Sequence, residues 1–299
     1  MSIQSDNSRG ALLMVASMSA FTFGDICIKA IGTSMPLSQV LTLRGLVATF
    51  FIGVLAWRAK ALHLRFPARD KALVALRAIA EVGAAVFFFT ALFNMPIANV
   101  SALLQMLPLT ITLGSALFFK EPVGWRRWLA IAAGFLGMLL IVRPGTDGFN
   151  IYSLWALAAV ACVTLRDLVT RRMSAAVPSL AVTFATSLTV LVFAALWSLS
   201  QDWVPLTGMT TALLGSASVL IVAGYTLSVM VMRVGEVGFI APFRYTSLVL
   251  SLILGLAFFD EWPKPVALAG AALIVGTGLF TLWRETQLRR RRSGGPRAR

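Results

Sequence analysis

The ionisable side chains inside the long apolar runs of this sequence are few, and most of its chemistry rests on them. Asp25 and Lys29 stand one helical turn apart, and Arg44 follows in the next run. Arg77 and Glu81 are again one turn apart; Arg166, Asp167 and Arg171 cluster further on; Arg244 stands alone. A charge in hydrocarbon is costly, so such residues face a partner or a water-filled cavity. Pairs at i, i+4 can satisfy each other on one helix, which gives Asp25–Lys29 and Arg77–Glu81 an equally good reading as static packing pairs. Lys29 can also snorkel to the interface. Arg44 enters from the same side as Asp25 and is within its reach. Arg244 has no acid on its own stretch, so its mate is a carboxylate on another helix or on a solute.

Uncharged polar residues fall into stripes at helical spacing. Ser101, Gln105, Pro108 and Thr112 form one, Ser218, Tyr225 and Ser228 a second, and Arg244, Ser247 and Ser251 a third. Small hydroxyls of this kind commonly join helices to one another. Gln105, Tyr225 and Tyr245 are larger and suit a cavity wall. The candidate solute-binding set is therefore Glu81, Asn99, Gln105, Tyr225, Arg244 and Tyr245. The candidate gates are Asp25, Lys29, Arg44, Arg77, Arg166 and Asp167. Pro108 and Pro242 each free a backbone carbonyl, and both are candidate hinges. No catalytic residue, metal site or cofactor is expected. The single histidine, His63, falls in a connecting loop, and the cysteines, Cys27 and Cys162, lie inside apolar runs without ligand spacing.

The elements that position these residues are set by composition. Of 299 residues, 58% are hydrophobic and 13% charged, against roughly 25% charged in soluble domains. Ten runs are long and apolar enough to cross a bilayer or come close: 10–31, 37–57, 72–93, 97–119, 125–142, 151–170, 179–198, 209–232, 237–259 and 265–283. The fifth and tenth are short, which calls for steep insertion or local thinning. All eight tryptophans fall at or near run ends, where an indole ring sits best at headgroup level. The fold class expected is all-α and membrane-embedded.

The net charge of +14 lies between the runs and in the tail beginning Arg289-Arg290-Arg291-Arg292. Aromatic residues do not interleave with it as a nucleic-acid surface needs, so the lipid bilayer rather than nucleic acid is the expected partner. With a cytoplasmic N-terminus, the inner segments hold nearly all the basic residues and the outer ones only Lys29, Arg143 and Lys264. That bias places both termini in the cytoplasm of a cell carrying the protein in its inner membrane.

A repeat underlies the ten runs. Phe118-Phe119-Lys120-Glu121 closes the fourth and Phe258-Phe259-Asp260-Glu261 the ninth, and Asp25 and Lys29 in the first match Asp167 and Arg171 in the sixth. Five crossings is an odd number, so the second half enters from the opposite side and the halves are inverted repeats around a central cavity. The divisions expected are 1–146, 147–285 and a basic cytoplasmic tail, 286–299. Symmetry then gives each charge cluster one end of the pathway to close.

The order Phe23-Gly24, Lys29, Pro36, Arg44, Ala91, Pro96-Ile97-Ala98, Ser101, Pro108, Glu121, Gly134 and Gly137, with Glu261 and Gly270, Gly276 and Gly278 in the second half, resembles the EamA-type drug/metabolite transporter superfamily over nearly the whole chain. The resemblance implies a ten-helix fold whose first, third, fourth, sixth, eighth and ninth helices line a cavity, and transport by alternating access. It leans toward exporters of amino acids and related metabolites, the YddG-like branch among them, with carriers of another solute class, such as nucleosides, sugars or drugs, as the alternative. The expected partner is a small solute, and the expected state is a monomer or weak homodimer. No phosphate-binding Gly-x-x-x-x-Gly-Lys-Ser/Thr motif is present. An intramembrane enzyme would need acid or lysine chemistry without a histidine, and no selectivity-filter pattern points to a channel.

Overall fold

Proline begins many of the helices. Pro36, Pro67, Pro96 and Pro178 stand immediately before four of them, where the missing N–H is of no consequence. A computed structural model describes residues 3–61, 67–121, 123–145, 149–174, 177–231 and 237–293; His63, Arg65, Arg233 and Arg297 lie outside the described residues. In chain order the helices are α1 (Ile3–Ile31), α2 (Leu37–Arg58), α3 (Ala68–Asn94), α4 (Ile97–Leu104), α5 (Leu107–Phe119) and α6 (Trp125–Val142). The second half holds α7 (Tyr152–Arg172), α8 (Ser179–Ser198), α9 (Gly208–Val231), α10 (Val237–Ile240), α11 (Thr246–Phe259) and α12 (Pro265–Ser293), with a 3-10 segment at Ala241–Tyr245.

These helices make ten spans, at the ten runs read from the sequence. The fourth span is broken into α4 and α5; the ninth is broken into α10, the 3-10 segment and α11. Large apolar side chains such as Phe50, Phe118, Leu196 and Ile253 point outward and are exposed. In water that surface would drive aggregation; in a bilayer it is the solvated face. The fifth span, α6, has 18 residues, which at about 1.5 Å per residue is just under the thickness of the hydrocarbon core.

The two halves repeat each other in detail. The gapless alignment that matches Phe118–Glu121 to Phe258–Glu261 also sets the break at Gln105–Met106 opposite the break at Tyr245–Thr246. Lys120 and Asp260 both end their helices in the left-handed region, at φ 54° and 53°. In each case the next residue folds back: Glu121 N–H donates to the Ser115 carbonyl at 3.3 Å and Glu261 N–H to the Gly255 carbonyl at 3.0 Å. Packing obeys the same symmetry. The first span packs on the eighth, the third on the sixth, the second on the seventh, the fifth on the tenth, and α4 on α11. Exchanging repeat mates turns the first of these pairs into its partner and returns the other three to themselves, as a two-fold axis in the membrane plane requires.

The prolines of the breaks are not repeat mates. Pro108 follows its break, in the first turn of α5, whereas Pro242 lies inside the 3-10 segment before α11. Each removes one N–H from the helical ladder, and both spans are interrupted although the prolines stand at different places.

The fifth and tenth spans meet backbone to backbone. A Cβ added to Gly137 would strike the Gly270 carbonyl, and one added to Gly270 the Gly137 carbonyl. Backbone cannot rotate aside as a side chain can, so α6 and α12 would have to separate. Gly137→Ala or Gly270→Ala is therefore expected to cost about 1–3 kcal/mol, read as a lower thermal midpoint in detergent. Gly276, on α12 with open space around it, is the control: Gly276→Ala should leave the midpoint unchanged or slightly higher.

Candidate functional site

Among the charges within the spans, Arg166, Asp167 and Glu81 form one bonded group. Arg166 on α7 is its hub: Nε donates to Asp167 Oδ1 at 2.8 Å, and the terminal nitrogen reaches Glu81 on α3 at 3.2 Å. Arg77, one turn from Glu81, does not pair with it. Its Nε donates to the Thr170 hydroxyl at 3.0 Å and its terminal nitrogen to the Thr186 hydroxyl at 2.6 Å, which ties α3 to α7 and α8. The local Arg77–Glu81 pair is thus replaced by contacts between helices.

Tyr225 on α9 lies within Coulombic range of Glu81, Arg166, Arg44 and Arg77. Its ring packs edge-on against Phe21 of α1 at 5.3 Å. It is nevertheless 43% exposed. Arg44 lies over the Phe89 ring at 4.8 Å, and Asp25 faces it within Coulombic range but beyond ion-pair contact. Arg244, in the 3-10 segment, lies within range of Asp167 and Arg166.

Two members of the candidate binding set are placed away from this group. Gln105 is 5% exposed, and its side-chain amide donates to the Ser247 hydroxyl at 2.8 Å. With Ser101 and Ser251, whose hydroxyls meet at 2.6 Å, it forms a polar seam between the fourth and ninth spans. The Tyr245 ring is buried, with its hydroxyl against Gly278 of α12 and no bonded partner. Asn99 is half-buried in the first turn of α4.

The expected Asp25–Lys29 pair is absent. Lys29 instead donates to Glu261 Oε1 at 3.0 Å, to the Leu92 carbonyl at 3.0 Å and to the Met95 carbonyl at 2.8 Å. All three of its protons are used, and at 8% exposure it does not snorkel. The other oxygen of Glu261 accepts the Ile97 N–H at 3.1 Å. One ion pair therefore serves the last carbonyls of α3 and the first free N–H of α4, the two places where a helix wants a cation and an anion. Around it, Ile28, Ile31, Val40, Leu92, Ile97 and Leu214 belong to one apolar core. Gln39 exchanges two hydrogen bonds with the Val204 backbone, at 2.8 and 3.0 Å. Apolar packing and these bonds thus join the helices around the pair at this end.

The opposite end is built from the repeat mates and differs. Arg171, the mate of Lys29, donates to the Ser115 hydroxyl at 2.9 Å. Glu121, the mate of Glu261, is exposed, and no ion pair joins the two. Glu261 was not a candidate from the sequence, although it closes the ninth span on the face where Lys29 ends the first. Its place in the repeat was the available signal. Among the described residues, no cluster of histidine, cysteine or carboxylate side chains could hold a metal.

Ten spans in two inverted five-span halves have the architecture of an integral membrane transporter. The chain belongs to the EamA-like transporter family, whose sequence profile matches residues 8–143 and 150–283, one stretch in each half. It is 30% identical to a riboflavin transporter of Vibrio cholerae over 72% of this chain and 72% of that protein. It is 27% identical to an S-adenosylmethionine uptake transporter of Rickettsia felis over 64% of each chain. Over 89% of this chain and 93% of its relative, it is 25% identical to a pseudopaline exporter, CntI, of Pseudomonas aeruginosa. A solved crystal structure aligns with a TM-score of 0.61 over 96% of this chain and 99% of that one at 23% identity, a likeness that bears on the fold. Membership places the protein in the drug/metabolite transporter superfamily. The relatives are named for uptake and for export, and none of these three for amino-acid export.

Proposed function

We propose that this transporter is a secondary carrier that works by alternating access and exports amino acids or related small metabolites across the cytoplasmic membrane. The observation that carries the reading is the difference between its two ends. Repeat-related residues form the Lys29–Glu261 pair at one end and leave Arg171 and Glu121 apart at the other. Exchanging the conformations of the two halves would close the second end and open the first. The charge bias of the loops puts both termini in the cytoplasm and Glu261 outside. On that orientation the Lys29–Glu261 end is the outer one, and the reading takes it as the closed gate. Asp25, Lys29, Arg44, Arg77, Arg166 and Asp167 remain the groups that change partners, with Pro108 and Pro242 at the bends. A monomer contains the complete pathway.

The experiment is counterflow in proteoliposomes holding the purified protein. Unlabelled solute inside is expected to accelerate entry of labelled solute. Ion-like conductance without trans-acceleration would mean a pore, and turnover of the solute without a membrane barrier would mean an enzyme.

A further inference from the structure

The fifth and tenth spans touch backbone to backbone at Gly137 and Gly270. Toward the Trp125 end of α6 a groove of about 540 Å³ opens between them. Its walls include Leu129 and Ala130 of α6 and Ala272, Leu273, Gly276 and Phe280 of α12, with Trp125 and Arg126 at one end. Leu129, Ala272, Gly276 and Phe280 are exposed, so the groove faces outward. A Cβ added to Gly276 would meet nothing within 4 Å. Thr277 is the other polar residue of the wall, and its hydroxyl is spent on its own helix, donating to the Leu273 carbonyl at 2.8 Å. The mouth differs from the walls. The Arg126 guanidinium lies over the Trp125 ring at 5.3 Å and has no hydrogen bond or ion pair among the described residues. Arg284 stands one turn beyond Phe280 on the same face of α12, and its bonded partner is a neutral one, Gln287, at 3.3 Å. Trp125 and Trp283 are both exposed, as rings at headgroup depth are.

We infer that this groove is a binding site for a phospholipid with an anionic headgroup, one acyl chain lying between α6 and α12 and the headgroup phosphate meeting Arg126. The walls offer no free polar group, so hydrocarbon fits them and water does not. Left empty, the groove would forfeit dispersion contacts along both helices. From Ala272 to Phe280 it runs eight residues along α12, about 12 Å, most of the roughly 15 Å depth of one leaflet. The charge at the mouth sets the headgroup. Arg126 and Arg284 lack a carboxylate partner among the described residues. A phosphate accepts charge-assisted hydrogen bonds from guanidinium. A zwitterionic headgroup brings an ammonium of its own to the same mouth and repays part of that attraction, whereas an anionic one does not. The loop-charge bias puts this end of α6 in the cytoplasmic leaflet, where basic pockets between spans meet anionic lipid. The site lies on the outer surface of the helix bundle and is independent of the solute.

Native mass spectrometry of the purified full chain tests it, with phosphatidylglycerol and phosphatidylcholine of identical acyl chains titrated into the detergent. The wild type is expected to bind phosphatidylglycerol at least fivefold more tightly than phosphatidylcholine. Arg126→Gln should bring the two lipids within twofold of each other. Gly276→Leu, which fills the groove without striking a neighbour, should weaken both at least fivefold. Arg58→Gln, which removes an exposed charge at the end of α2, should change the preference less than twofold. Equal binding of the two lipids by the wild type would overturn the inference. So would a Gly276→Leu protein that retains wild-type binding, or an Arg58→Gln protein that loses the preference as Arg126→Gln does. Should a groove variant fail to fold, phosphatidylglycerol carrying a photoreactive acyl chain decides with the wild type alone. Cross-links are expected within 125–130 and 272–280, and their absence there would overturn the site.

Discussion

Glu261→Gln is expected to open the end of the molecule that the carrier reading takes as the closed gate. Glutamine preserves the size of the side chain and can still accept the Ile97 N–H, but it removes the counter-charge of Lys29. The Lys29 side chain is 6% exposed, so its ammonium would keep two carbonyls and lose its only anion. Removing one partner from a buried pair costs about 3–5 kcal/mol. Each 1.4 kcal/mol or so is a factor of ten in an equilibrium, so the balance between end states should move by about two orders of magnitude or more. Ala217 lies within the same apolar core and is 1% exposed. A cysteine placed there, with Cys27 and Cys162 changed to serine, should react with an impermeant maleimide at least tenfold faster in the Glu261→Gln protein. Equal labelling rates would show that the pair does not hold this end closed. Exchanging the charges, with Lys29→Glu and Glu261→Lys together, should not restore closure. The Leu92 and Met95 carbonyls would then face an anion, and the Ile97 N–H would face a cation.

The second large effect is expected at Arg166. Arg166→Gln leaves Glu81 and Asp167 with no direct cation. The three side chains are 24%, 22% and 36% exposed, so water takes up part of the loss and a cost of about 1–3 kcal/mol is expected rather than the full value for a dry pair. Because Arg166 joins α3 to α7, the same change should reduce counterflow at least tenfold. Adding Glu81→Gln should recover part of the thermal midpoint, since it removes one of the stranded charges, while transport stays low. Midpoints in detergent and counterflow in proteoliposomes separate the two. Simple additivity of the two substitutions in stability would show that Arg166 and Glu81 do not act as a unit.

The spans were legible because hydrocarbon length, tryptophan placement and proline at helix starts are local properties of a chain. The inverted repeat was legible because Glu121 and Glu261 end similar text. The partners of the charges were not, because they come from other helices. Asp25 and Lys29 have the spacing of a pair, yet Lys29 finds Glu261, which is distant in sequence and close only once the ninth span packs beside the first. Arg77 and Glu81 repeat the lesson: spacing allows their contact, but Arg166, Thr170 and Thr186 from neighbouring helices offer better geometry. Gln105 carries the polarity of a cavity residue and is used as a joint, since the fourth and ninth spans touch where it lies. Nothing in the local sequence distinguishes those uses.

The bonding of Lys29 also bears on how the chain is put together. Synthesis runs from the N-terminus, so Lys29 enters the bilayer long before Glu261 exists. The Leu92 and Met95 carbonyls arrive with the third span, and they can hold the ammonium while the rest of the protein is being made. The bond to Glu261 can form only after the ninth span has been inserted. Until then the nascent first half carries a half-satisfied cation, and a chain truncated before Glu261 should be a preferred substrate for membrane quality control. The last contact of the closed end thus doubles as a chemical signature that both halves are in place.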